Sequence, residues 1–371
     1  MQFIDLKAQQ QRIKAKIDAN IQTVLEHGKY IQGPEVKELE AKLAEYVGVD
    51  YAIGVSSGTD ALLMPLLAYN VKPGDAIFTV PFTFIATAEV VQLLGATSVF
   101  VDIDPETYNM DASKLEEAIL KVKSEGKLNP KGIIPVDLFG QPADYDEINT
   151  IAKKHGLFVL EDAAQGFGGV YKGKRACSLA DVAGASFFPA KPLGTYGDGG
   201  MCFTNDKDIY DKLLSIRVHG QGTNKYDNIR VGINGRLDTL MAAILLAKFE
   251  IFEEEIQLRQ KVANRYTEGL NDVVKTPYVK DDNLSAWAQY SILHPERERV
   301  LEGLKSDGIP AAIYYPKPLH LQDAFVDLGY AYGDFPISEE MASKIFSIPM
   351  HPYLSEADQD LVINSIRKHA K

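Results

Sequence analysis

A chain of 371 residues, 46% hydrophobic and 24% charged, is long enough to bury a large core and to divide into two subdomains. Its formal net charge of −12 disfavours a nonspecific binder of nucleic-acid phosphates, which presents a basic face, and leaves only local anion sites open. Cys177 and Cys202 are too few for a disulfide scaffold and lack CxxC spacing, and the opening MQFIDLKAQQQRIKAKI has no apolar signal core, so a cytoplasmic location is expected.

In chain order, Ile13, Ile17, Ile21, Val24 and Leu25 recur at helical spacing and predict one helix over 8–27, stopped by Gly28. GPEVKELEAKLAEYVGV opens on Gly33 and Pro34 and sets Val36, Leu39, Leu43 and Val47 on one face of a second amphipathic helix. From residue 50 to about 205, continuous apolar runs such as YAIGV, AIFTV, SVFVDI, GIIPVDL and LFVLED alternate with helical patterns. That alternation predicts an α/β fold, a mostly parallel sheet flanked by helices.

The most apolar window, 76–101, is long enough to raise a membrane span, but Pro81, Glu89, Gln92 and several threonines interrupt it, and strand–helix–strand is the expectation. The stretch 120–132, LKVKSEGKLNPKG, reads as a surface loop, and 236–266 as one long helix free of proline and glycine. The domain change is placed inside that helix: a large domain over 1–245 with the N-terminal helices, and a smaller C-terminal α+β domain over 246–371. No repeat is visible.

Ligands of open α/β sheets lie beyond the carboxyl ends of the strands, so polar residues after apolar runs are the first candidates. Asp162 ends LFVLED with Gln165 one turn later; its carboxylate suits a cationic ring nitrogen, or simply caps a turn. VSSGTDALL leads small hydroxyls and Gly58 into a helix, an anion cradle by its free amides, or plain N-capping by Ser57 or Thr59. Phe82 and Phe84 follow AIFTV and suit stacking on a flat ring, or the core. Ser186 and Lys191 follow VAGASFF. A lysine set between an apolar run and glycines suits a Schiff base, with a snorkelling surface side chain as the generic alternative.

Together an anion cradle, an aromatic face, a strand-end aspartate and a strand-end lysine describe a pocket for pyridoxal 5′-phosphate. The blocks SSGTDAL, PFTFIAT, EDAAQGFGG, SFFPAKPLGTYGDGG, VGINGRLDTLMAAILL and IPMHPYL, in this order, resemble the DegT/DnrJ/EryC1/StrS family of nucleotide-sugar aminotransferases over essentially the whole chain. The resemblance implies a fold type I transferase and a homodimer with its active site at the subunit interface. It implies that Lys191 carries the cofactor as a Schiff base and Asp162 pairs with the pyridine nitrogen. Gln165 would lie near the ring hydroxyl and Phe84 on the ring face. Gly58, Thr59 and Ser186 would hold the phosphate, with Asn234 reaching it from the neighbouring subunit.

Within the family, MQFIDLK, YIQGPEV, FPAKPLGTYGDGG and AKFEIFEEEIQLRQKVA most resemble the UDP-2-acetamido-2-deoxy-3-oxo-glucuronate 3-aminotransferases, which use glutamate as donor in making surface polysaccharides such as O-antigen and lipopolysaccharide. Arg236 then suits the sugar carboxylate by its fork of donors, with a salt-bridged helix-start arginine as the alternative. Tyr314 and Tyr315 align with a His–Tyr pair that contacts substrate in the resembled enzymes, Tyr314 standing at the histidine. His320 has either a family role or a purely structural one. A different keto sugar, for example a dTDP-linked one, is the alternative substrate, and a non-catalytic cofactor-binding regulator the alternative function. A dehydrogenase is disfavoured because no GxGxxG follows the first strand, and neither an EF-hand nor a His/Cys metal spacing is present. No nucleic-acid or membrane partner is expected.

Overall fold

A computed structural model describes residues 1–224 and 226–371. The expected first helix is two, α1 (Leu6–Arg12) and α2 (Lys14–His27), separated at Ile13, and α2 buries Ile17 and Val24 while leaving Leu25 exposed. Helix α3 (Pro34–Val47) starts as its sequence predicts, with Gly33 as N-cap and proline in the first turn, and buries Val36, Leu39, Leu43 and Val47.

Seven strands form the central sheet: β1 (Tyr51–Val55), β2 (Asp75–Thr79), β3 (Thr97–Phe100), β4 (Asn129–Ile134), β5 (Phe158–Asp162), β6 (Val182–Ser186) and β7 (Gly200–Thr204). Their spatial order is β1-β7-β6-β5-β4-β2-β3, parallel except β7, which runs antiparallel to both neighbours. The exception has a simple cause. The loop after β6 turns back at the carboxyl edge without crossing the sheet, so β7 re-enters where β6 left, with Gly200 beside both Ser186 and Val55.

Helices cover both faces, as a buried parallel sheet requires. On one face α4 (Gly58–Ala68), α5 (Ala86–Leu93) and α8 (Lys207–Ile216) pack over Ile53, Ile77, Leu160 and Val182. On the other, α6 (Ala112–Glu125) and α7 (Tyr145–His155) pack over Ala76, Phe78 and Val159, while α3 and α9 (Thr239–Phe249) pack over Ala183, Ala185 and Phe203. The apolar window 76–101 is therefore strand, helix and strand. Among the described residues no helix is long and apolar enough to cross a membrane.

Two elements differ from the sequence reading. The polar stretch 120–132 is mostly regular structure: α6 continues to Glu125, burying Ile119 and Val122 on one face, and β4 begins at Asn129, so the connection is only 126–128. An amphipathic last turn with many lysines looks like a loop by composition. The long helix over 236–266 is broken at Glu250–Ile251 into α9 and α10 (Phe252–Leu270), and its first residues, 236–238, are extended. Phe252 and Ile256 of α10 belong to the sheet's core, whereas Val262, Ala263, Tyr266 and Leu270 belong to a second core. That second core also contains the antiparallel pair β8 (Tyr290–Leu293) and β9 (Ile345–Ile348), with α11 (Arg297–Ser306) and α12 (Glu356–His369).

Helix α4 is seated on β6 by a close approach at Gly184, where a Cβ would stand 2.7 Å from the Ala61 carbonyl oxygen. Gly184→Ala should therefore push α4 off the sheet and cost about 1–3 kcal/mol, as overpacking does. The check is the urea midpoint of the variant, and an unchanged midpoint would show that α4 is not held at this distance.

Candidate active site

The carboxyl edge of β5 ends on a buried charged group. Asp162 is 4% exposed, and both its oxygens are held: Thr87 on α5 donates its hydroxyl to Oδ2 at 2.7 Å, and the Ala164 N–H donates to Oδ1 at 3.2 Å. Thr83 hydrogen-bonds Thr87 at 3.1 Å, one helical turn before it. Burial raises Asp162 above the ordinary carboxyl range, opposed by Thr87, Ala164 and the charge of Lys191.

Lys191 lies on the loop between β6 and β7, opposite that carboxylate. Its backbone N–H donates to the Phe188 carbonyl at 2.9 Å, and Thr195 N–H returns to the Phe187 carbonyl at 2.8 Å, which folds the loop back over the sheet edge. Burial pulls Lys191 below the ordinary lysine range, with Asp162 pulling the other way. The two groups interact through space but form no ion pair.

The cradle sits beside them. Ser57 caps α4, accepting the Asp60 N–H at 3.1 Å, so the capping alternative holds for Ser57 and not for Thr59. The Gly58 and Thr59 amides open the helix and have no intrahelical acceptor. Gly58 is needed there: a Cβ would meet the Ser186 Cβ at 2.6 Å and its Oγ at 2.8 Å, so any side chain would fill the space that these amides share with the Ser186 hydroxyl. This donor set at a helix N-terminus suits a phosphate.

Phe84 is 55% exposed, whereas Phe82 is fully buried, so the two phenylalanines divide into one ring available to a ligand and one in the core. Phe84 lies 6.5 Å from the Tyr315 ring. Gln165 joins the group: its Oε1 accepts the Phe139 N–H at 2.8 Å and its Nε2 donates to the Tyr315 hydroxyl at 3.1 Å. Burial raises the Tyr315 hydroxyl, which therefore stays protonated at neutral pH. Tyr314 is half-buried, its ring 6.4 Å from Phe3. The segment carrying both tyrosines is tied to the sheet where Leu319 N–H donates to the Pro81 carbonyl at 2.7 Å.

Asn234 and Arg236 flank Gly235, whose carbonyl accepts the Ser56 N–H at 3.1 Å. Asn234 is exposed and bridges Val218, Arg236 bridges Val55, and Arg236 Nε donates to Asn234 Oδ1 at 2.9 Å. His320 is buried against Glu339 at 2.9 Å, and Glu339 also accepts the Gly333 N–H, so His320 fastens the 320–335 segment.

Two residues near the cluster have no obvious mark in the sequence. Thr87 sits in the quoted block PFTFIAT, where its only signal is the i, i+4 spacing from Thr83 at a strand-end helix. Lys248 is completely buried in α9, donates to the Gly194 carbonyl at 2.6 Å and lies 4.2 Å from the centre of the Tyr196 ring. It holds the Lys191 loop from below, and burial lowers it to about 8. In an otherwise apolar helix its lysine could be recognised only as an exception.

The sequence pattern of the DegT/DnrJ/EryC1/StrS aminotransferase family matches residues 11–367. Over 363 residues the chain is 53% identical to the UDP-2-acetamido-2-deoxy-3-oxo-D-glucuronate aminotransferase of Pseudomonas aeruginosa, covering 98% of each chain. The crystal structure of a DegT/DnrJ/EryC1/StrS aminotransferase from Brucella abortus superposes with a TM-score of 0.98 at 53% identity, covering all of both chains. NtdA of Bacillus subtilis, crystallised with bound cofactor PMP, superposes with a TM-score of 0.91 at 29% identity, covering 100% of this chain and 85% of the other. The match in sequence runs through both cores and every element of the strand-end cluster, and the chain belongs to the DegT/DnrJ/EryC1/StrS family of pyridoxal-phosphate-dependent sugar aminotransferases.

Proposed function

We propose that this aminotransferase moves an amino group from glutamate to the 3-keto carbon of UDP-2-acetamido-2-deoxy-3-oxo-glucuronate, in the cytoplasm, for surface polysaccharides of the O-antigen or lipopolysaccharide kind. One observation carries the catalytic part: Lys191, Asp162, Gln165, Phe84 and the Gly58–Ser186 cradle converge at one sheet edge from four separate chain segments. The sugar rests on the 53% identity to the Pseudomonas enzyme. Two buried, unpaired cysteines favour a reducing compartment.

Bound pyridoxal phosphate supplies a carbonyl carbon that exchanges oxygen for amine and a ring that withdraws electrons from the carbon being deprotonated. The chain does the rest. Asp162 would hold the protonated ring nitrogen, its oxygens aimed by Thr87 and the Ala164 N–H. Lys191 would hold the cofactor, and its lowered proton affinity would leave its amine neutral and able to take a proton from the donor carbon and return it. Gln165 and the Tyr315 hydroxyl would orient the ring oxygen, and Phe84 would cover the ring. The Gly58 and Thr59 amides and the Ser186 hydroxyl hold the phosphate.

Asn234 and Arg236 act on a second copy of the chain, Asn234 at its phosphate and Arg236 on the sugar carboxylate through two parallel donors. Exposed apolar neighbours on the same stretch, Ile229 at 57% and Val231 at 82%, support a homodimer. Tyr314 faces substrate beside Tyr315. A division into two domains within α10, between Ile256 and Val262, is supported by the passage of side chains there from one core to the other.

Glutamate alone should change the absorbance of the cofactor-loaded protein, and UDP-2-acetamido-2-deoxy-3-oxo-glucuronate should restore it. Lys191→Ala should slow the change by about 10²–10⁴-fold, the usual worth of a positioned acid–base group. Restoration by dTDP-linked keto sugars but not by the UDP sugar would replace the sugar assignment. No response to any amine donor would remove the catalytic one. Thr87→Val should remove a hydrogen bond to a buried charge, about 1.5–3 kcal/mol, and weaken cofactor binding about 10- to 100-fold in an absorbance titration.

A further inference from the structure

Directly behind Asp162 lie two carboxyls that the amine-transfer chemistry does not use. Asp137 and Glu161 are each 0% exposed. Glu161 precedes Asp162 in β5, and Asp137 lies just beyond β4, with its backbone N–H donating to the Asp162 carbonyl at 3.1 Å. The pair thus joins the ends of the two strands that support the cluster.

Their four oxygens can be counted against the available donors. Glu161 Oε1 accepts the Cys177 N–H at 2.5 Å and Oε2 the Leu179 N–H at 3.0 Å. Asp137 Oδ1 accepts the Ala143 N–H at 3.1 Å and the Tyr145 hydroxyl at 2.8 Å. Asp137 Oδ2 has no donor at all. It is wedged so tightly that a Cβ on Gly166 would stand 2.5 Å from it, and the carboxyl beside it is that of Glu161, a hydrogen-bond partner only if one of the two carries a proton. Two carboxylates are acceptors only and cannot make that bond; a carboxylic acid and a carboxylate can.

We infer that Asp137 is kept as the neutral acid, its Oδ2–H donating to Glu161, and that it is a positioning residue for the Asp162 edge. The proton satisfies the one orphaned oxygen and locks the turn at 137–140, whose Phe139 N–H holds Gln165. It also keeps the buried charge beside the pocket at two carboxylates instead of three. The groups facing Asp137 are Tyr145 from α7, Glu161 and Asp162 from β5, and Cys177 beyond them, none of which brings a positive charge. Burial and the charge of Glu161 accordingly raise Asp137 well above the ordinary carboxyl range. Tyr145 and the Ala143 N–H oppose the rise.

The sign of the pH dependence follows. An unfolded aspartate titrates near ~3.9, so above that pH the native state holds one proton more than the unfolded chain. Stability is then greatest in acid and is lost as pH rises toward the native value, by about tenfold in the unfolding constant per pH unit. The test is Asp137→Asn, whose amide N–H replaces the acid O–H while its oxygen still accepts from Ala143 and Tyr145.

On the cofactor-loaded protein, the asparagine variant should lack that component of the fall in thermal midpoint between pH 6 and pH 9. It should bind cofactor within about twofold of wild type, whereas Asp137→Ala, which leaves Glu161 and Tyr145 without their partner, should bind about tenfold or more weakly. Infrared spectra of the wild type at pH 8 in deuterated buffer should contain a protonated-carboxyl band that D137N lacks. Absence of that band from the wild type, or an asparagine variant with the wild-type pH slope, overturns the protonation. An alanine variant with wild-type cofactor affinity overturns the positioning role. The assigned role of Asp162 enters only the affinity measurement. The infrared and pH readings stand without it, so its failure would be seen separately.

Discussion

The buried carboxylate of Asp162 is the constraint around which the rest of this edge is arranged. A single carboxylate taken out of water is costly unless donors or a cation face it, and at the end of β5 its donors among the described residues are one hydroxyl and one amide. Neither carries charge. Lys191 lowers the cost from a distance without closing an ion pair, so the electrostatics of the chain alone leave room for a further cation between them. In the proposed function a protonated ring nitrogen would supply one, and the same pull would keep that nitrogen protonated. On that proposal, cofactor affinity and catalytic competence would both rest on one buried charge that has no cation paired with it.

Placing Lys191 opposite that charge is a matter of topology. A parallel crossover after β6 would have carried the chain to the far edge of the sheet. The antiparallel return into β7 instead keeps residues 187–199 at the carboxyl edge, within reach of β5. The loop is then stiffened from below by Lys248 on the Gly194 carbonyl. Burying a lysine without a carboxylate is unfavourable in isolation. Here its ammonium meets a carbonyl and an aromatic face, which fixes the loop without adding an anion near Lys191.

How much of this was legible in the sequence follows from range. The strands, their alternation with helices and the polar residue closing each apolar run depend on local pattern, and Asp162, Ser186 and Gly58 could be named from it. Phe82 and Phe84 could not be told apart, because exposure is decided by where the chain turns after β2. The break at Glu250–Ile251 was hidden because neither residue disfavours helix, and tertiary packing on two different cores imposes it. Thr87, Lys248 and Asp137 act through partners 75, 54 and 24 residues away, and no periodicity encodes such pairings.

A chain of net charge −12 that serves an anionic cofactor and an anionic nucleotide sugar needs a local answer to a global repulsion. At about 8–10 Å of screening in physiological salt, the overall field matters little inside a cleft, and nearest donors decide. The cradle at α4 uses backbone amides, which carry no net charge to be neutralised by the surrounding acids. The neutral form of Asp137 belongs to the same economy of charge. An extra carboxylate behind Asp162 would raise the proton affinity of Lys191 and of Asp162 together, favouring a charged lysine and a neutral aspartate, the reverse of what amine transfer needs. Holding one proton in the wall therefore preserves the opposite polarity at its surface.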